Sequence, residues 1–140
     1  MNHVRLAVLL TVLFAASPVL ADEALDQGKS DFAKLCAPCH GVDAKGHGPE
    51  AAKLPKKPVD LTRITERYGR FPEDRVFATI SGLDMPEGHG TREMPIWGDV
   101  FVSEGVGKST SVADALRASD DASRRIAGLM RYLETLQGAP

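Results

Sequence analysis

Apolar residues recur at helical spacing at both ends and in the middle of this 140-residue chain. Leu25, Gly28, Phe32 and Leu35, with Asp and Lys between them, predict a helix over 22–36. Residues 41–60, rich in Gly, Pro and Lys, read as a loop with a tight turn at Gly46-His47-Gly48-Pro49. In that loop Leu54, Pro55, Pro58, Val59 and Leu61 are spaced to lie over a flat apolar surface. Thr62 is the expected N-cap of a short helix running to about Tyr68. Pro72, Glu73 and Asp74 suit the first turn of another helix, lined by Val76, Phe77 and Ile80 and stopped at Gly82.

A second loop is expected over 83–98, with Met85-Pro86 and Met94-Pro95 each holding a methionine on restricted backbone. A short helix over 96–102, a flexible connector over 105–110 and a weak turn or two around Val112, Ala115 and Leu116 follow. The last element is clearer. Ala122, Ile126, Leu129, Leu133 and Leu136 form one stripe, Arg124, Arg125 and Arg131 the opposite face, and Gly138 the end. No Val/Ile-rich alternating segment occurs among these stretches, so the expected class is all-α with long loops.

The N-terminal residues have a different purpose. Arg5, the apolar run from Leu6 to Ala16, Pro18 and the close at Val19-Leu20-Ala21 read as a secretory signal peptide over 1–21, leaving one domain over 22–140. The apolar run is short for a membrane span, and no span is expected after cleavage. Loss of Arg5 with the leader moves the net charge from −2 to −3, which argues against a nucleic-acid partner.

Both cysteines lie in Cys36-Ala37-Pro38-Cys39-His40. Two thiols three positions apart, followed directly by an imidazole, are what attachment of a c-type haem requires. One helical turn brings both sulfurs to one edge of the macrocycle, and His40 then falls where an axial ligand belongs. A thioredoxin-like motif would follow a strand and open a helix, whereas a helix precedes Cys36. Structural zinc would need two further ligands, and only His40, His47 and His89 are at hand after the thiols. Export and haem attachment belong to the same compartment, so leader and pentad support one another.

With these residues together, the chain resembles the class I c-type cytochromes of the bacterial single-haem branch. Four matches carry the resemblance: Gly28 and Phe32 before Cys36-Ala37-Pro38-Cys39-His40-Gly41; Leu129 with Tyr132-Leu133; Gly46-His47-Gly48-Pro49 with Pro58-Val59-Asp60-Leu61-Thr62; and Met94-Pro95-Ile96-Trp97-Gly98. The resemblance implies a small cytochrome c fold: N- and C-terminal helices crossing, about three shorter helices, and long loops around one covalent haem. It implies thioethers at Cys36 and Cys39, His40 as proximal ligand, Pro49 offering its carbonyl to the other imidazole nitrogen, and Met94 as sixth ligand. Met85 is the second choice for that ligand. Trp97 would lie near a haem propionate, its indole N–H needing a partner when buried.

Met130 is expected as core filler, and His47 and His89 as solvated loop residues. The function implied is electron transfer by a monomer in the periplasm, without catalysis, between redox protein partners. Lys45, Lys53, Lys56 and Lys57 are the candidate docking patch. The alternative is a haem subunit of a periplasmic dehydrogenase or oxidase complex, with 98–121 as its docking surface.

Overall fold

The computed structural model describes residues 19–84, 95–108 and 111–138, with side chains from residue 23 onward. Every regular element among the described residues is helical. Helix α1 (Val19–Asp31) continues through a widened π turn (Phe32–Cys36) into α2 (Ala37–His40), so one helical run carries the chain into the pentad. Pro38 explains the widened turn. It has no N–H for the α ladder and its ring would crowd the carbonyl four residues back, so Ala37 N–H reaches to Phe32 O instead.

Single turns at Ala51–Lys53 and Leu61–Arg63 interrupt the loop region before α3 (Ile64–Tyr68) and α4 (Glu73–Ser81). The expected cap at Thr62 moves back two residues. Asp60 Oδ1 accepts from Thr62 N–H at 2.9 Å and from Thr62 Oγ1 at 2.6 Å, because a carboxylate is the stronger acceptor for the first turn's orphan donors. Pro72 sits at the N-cap of α4 with Glu73 and Asp74 in its first turn, Val76 and Ile80 are buried, and Gly82 ends the helix at φ 85°.

The second half of the chain is more helical than its periodicity suggests. Helix α5 spans Trp97–Val106 and α6 spans Val112–Thr135, so the expected connector shrinks and the weak turns at Val112–Leu116 become the first turns of α6. Gly105 accounts for much of the difference. It lies where a Cβ would stand 2.6 Å from the Ala118 Cβ, so its smallness serves close packing of α5 on α6 rather than a break. Ser111 caps α6 by accepting from Asp114 N–H at 3.2 Å. The helix ends at Thr135, short of Gly138.

Helix α6 is the spine, packing most extensively on α1 and α5. Where α1 meets α6, a Cβ on Gly28 would fall on the carbonyl of Gly128, and one on Gly128 would stand 2.5 Å from the carbonyl of Ala24. Two glycines therefore let the backbones touch. Beside them Phe32 and Tyr132 pack with ring centroids 5.2 Å apart, and Leu129 is fully buried. Phe32, Ala37, Ile64, Val76, Ile80, Phe101, Ile126, Leu129 and Leu133 share one core, with Met130 and Leu136 packed against it. Arg125 departs from the expected polar face: it is turned inward over Phe101.

Candidate haem site

The pentad occupies the end of the first helical run, and the following loop folds back to cap it. A helix end leaves its last carbonyls without intrahelical partners. Here Gly41 N–H donates to Ala37 O at 2.8 Å, Glu50 N–H to Pro38 O at 2.8 Å, Gly48 N–H to Cys39 O at 3.0 Å and Gly46 N–H to His40 O at 2.6 Å. The Gly-rich turn thus clamps the pentad backbone. A side chain at residue 48 would strike the Pro38 carbonyl, so the clamp requires glycine there. Leu61 N–H donates to Ala44 O at 2.8 Å and brings the Pro58–Asp60 segment alongside the same loop.

That segment reaches the imidazole. His40 is buried, and its Nδ1 lies 3.2 Å from the carbonyl oxygen of Val59. The resemblance pointed to the carbonyl of Pro49 for this contact. The Leu61–Ala44 bond holds the Pro58–Asp60 segment alongside the pentad loop, and it is the Val59 carbonyl that meets the ring while the Val59 side chain stays exposed. Val59 was not singled out for this role by sequence; the cue would have been its place one residue before the Asp60 cap, inside a segment already expected to cover an apolar surface.

Cys36 and Cys39 are both free and partly buried. Burial, with smaller contributions from the charges of Asp31 and Cys39, pushes the Cys36 thiol up to about 12. Without haem that sulfur therefore stays protonated at neutral pH. Among the described residues no group of three or more His, Cys, Asp and Glu side chains could hold a metal ion.

Trp97 opens α5 and packs its ring 6.4 Å from Phe101. Its Nε1 is buried and has no hydrogen-bond partner among the described residues. A buried donor left without an acceptor is costly, so the indole calls for an acceptor that the described residues do not supply. Two thiols three positions apart with an imidazole directly after the second on one helical run, that imidazole oriented by a backbone carbonyl, and an indole N–H without an acceptor among the described residues together fit a haem. Met85, Met94 and His89 lie outside the described residues. His47 is exposed, its Nε2 2.8 Å from Lys57 Nζ.

All four loop lysines are exposed. Lys53 pairs with Glu50 at 2.6 Å, and Lys57 meets His47 as above. No described helix is long and apolar enough to cross a membrane.

The family profile described as Cytochrome c matches residues 25–96, just over half of the chain. Neither the curated proteins nor the solved structures contain a significant match.

Proposed function

The chain belongs to the cytochrome c family, and from that premise we propose that it is a periplasmic electron carrier with His40 and Met94 as axial ligands of one haem. The family's cofactor is covalently attached haem c, and its members are generally electron-transfer proteins rather than enzymes. Haem supplies one-electron exchange at iron; the chain holds it, orients the ligands and keeps water away.

The observation that carries the reading is the buried His40, one position after Cys39 and with Nδ1 turned to the Val59 carbonyl. A carbonyl at Nδ1 fixes the tautomer and ring plane and directs Nε2 to iron. Cys36 and Cys39 form the thioethers, and Trp97 offers its N–H to a propionate. A thioether opposite the imidazole favours ferrous iron and raises the potential relative to two imidazoles. With His40 and Met94 both holding the iron, no position would remain open to a substrate, which supports a carrier rather than an enzyme. Residues 1–21 act as the export signal, in keeping with a family whose domains are typically exported. Docking of an acidic redox protein falls to the exposed lysines of the 41–60 loop.

The ferric absorbance spectrum tests the ligand set. The wild type is expected to show a far-red methionine-to-iron charge-transfer band, lost in Met94→Ala and kept in Met85→Ala. Loss in Met85→Ala alone exchanges the two methionines; a high-spin wild type, or fast carbon monoxide binding to its ferrous form, rejects the carrier reading.

A second reading, a haem subunit of a periplasmic dehydrogenase or oxidase complex, draws support from one feature. Val112 and Leu116 lie one turn apart on α6, beyond the family match, and both are exposed. Purification as a free monomer that exchanges electrons with small carriers counts against it.

A further inference from the structure

We propose that Gln137 is a positioning residue for the proximal side of the haem site, holding in place the segment whose Val59 carbonyl faces His40. The proposal rests on the reading of His40 as axial ligand. Iron at Nε2 leaves the ring proton on Nδ1, which then donates to the Val59 carbonyl oxygen 3.2 Å away. The Val59 side chain is 45% exposed, so its packing is a weak anchor for that carbonyl. Val59 is held by its neighbours instead. On one side the Pro58 carbonyl lies so close to Gly46 that a Cβ there would fall on its oxygen. On the other, Leu61 N–H donates to Ala44 O at 2.8 Å, and Gln137 Nε2 donates to Leu61 O at 2.9 Å.

The Gln137 amide joins three elements. Nε2 also donates to Leu133 O at 2.7 Å in the last turn of α6, and Oε1 accepts from Thr65 N–H at 3.0 Å in the first turn of α3. Carbonyls only accept and an N–H only donates, so these partners fix which way the amide faces. Gly138 N–H adds a bond to Thr62 O at 3.4 Å. The single turn Leu61–Arg63 is three residues long and holds its own place weakly, and Gln137 spans it from Leu61 to Thr65. The match to the family profile ends at residue 96, so Gln137 stands outside it. The end of α6 is thereby coupled to the imidazole through Leu61 and Val59, although each of these bonds ends on backbone. A firm carbonyl partner makes the imidazole a stronger donor to iron and favours the ferric state, so a loosened one raises the reduction potential.

The haem-loaded protein is compared as wild type, Gln137→Leu, Gln137→Lys and Gly128→Ala. NMR of the ferrous form times the exchange of the His40 Nδ1 proton with solvent, redox titration gives the potential, and urea unfolding gives the stability. Gln137→Leu is expected to speed that exchange by about tenfold or more and to raise the potential, because the stretch from Val59 to Thr65 then opens without global unfolding. Gln137→Lys returns a donor to the Leu61 and Leu133 carbonyls but no acceptor to Thr65, and falls between. Gly128→Ala disturbs the contact of α1 with α6 away from this stretch, and should keep the wild-type potential and exchange.

A Gln137 that only caps α6 would alter stability alone. Exchange and potential that change no more in Gln137→Leu than in Gly128→Ala therefore overturn the proposal. If Gln137→Leu fails to accumulate, Gln137→Lys is judged by the same two readouts. A wild type whose His40 ring signals show no effect of haem overturns the ligand reading and the proposal with it. Shifted wild-type signals with unaltered Gln137 variants overturn the proposal alone.

Discussion

The indole N–H of Trp97 is buried with no acceptor among the described residues, and this makes Trp97→Phe informative. The ring body and its packing on Phe101 would survive, while the donor is removed. If a haem propionate accepts that N–H, the substitution should lower the unfolding free energy of the haem-loaded protein by about 1–3 kcal/mol, the range for a hydrogen bond to a charged group or its orphaned partner. An unchanged or higher urea midpoint would mean that the donor stays unsatisfied in the loaded protein. Asp31 gives a second prediction at this scale. Burial would raise its pKa, but hydrogen bonds from Arg125 and Gln27, with the charge of Arg125, outweigh burial and hold it below the ordinary 3.8. A depressed carboxyl stabilises the fold above its unfolded pKa, and that contribution disappears as pH falls through the folded value. Asp31→Asn should therefore cost about 3 kcal/mol in urea unfolding at pH 7, as expected for breaking a buried pair. The gap to wild type should begin to narrow as pH falls below about 4, where the unfolded carboxyl protonates, and close once pH passes below the lower folded value. A gap independent of pH would assign the cost to packing instead.

Glycine decides the elements, and it explains both what the sequence disclosed and what it hid. Gly28 is legible because it shares a helical stripe with Phe32 and precedes the pentad. Gly128 is not, since a glycine within an amphipathic helix reads as a mild propensity defect until its partner is known. The same ambiguity misplaced the end of α5: Gly105 reads as a breaker, yet it is the point where α5 rests on Ala118. The pentad, the closing loop, α4 and the stripe of α6 all follow from local patterns. The Val59 contact with His40, the inward turn of Arg125 and the length of α6 depend on which elements meet, and no local pattern carries that. Gly128→Ala tests the argument. Helix propensity alone would favour alanine by about 1 kcal/mol. The new Cβ, however, would stand 2.5 Å from the backbone oxygen of Ala24, which no rotamer change can relieve. A net destabilisation of about 1–3 kcal/mol by urea unfolding is expected, as for overpacking at a tight contact. A stabilised variant would show that α1 and α6 do not meet at these glycines.

Charge is distributed unevenly over the whole molecule, and the structure narrows what the 41–60 loop can do with it. The chain carries a net −2, while this loop holds four lysines against Asp43, Glu50 and Asp60. Lys53 is held at 2.6 Å by Glu50, with both side chains largely exposed. Such a pair adds little stability, yet beyond a Debye length it presents almost no net charge to an approaching partner. Steering toward an acidic redox protein should therefore owe little to the Lys53–Glu50 pair taken as a whole. The double variant Lys56→Glu/Lys57→Glu should lower the bimolecular electron-transfer rate to an acidic partner by about tenfold at low ionic strength, with the difference closing as salt is added. Removing the pair together, as Lys53→Ala/Glu50→Ala, should leave that rate nearly unchanged, because the two charges already offset one another. Stopped-flow rates over a salt series decide the matter. Equal rates for wild type and the double variant at low salt would dismiss the loop as a docking surface. A large effect of removing the Lys53–Glu50 pair would mean that the partner itself displaces Glu50 on contact, and that docking is read at short range rather than through the long-range field.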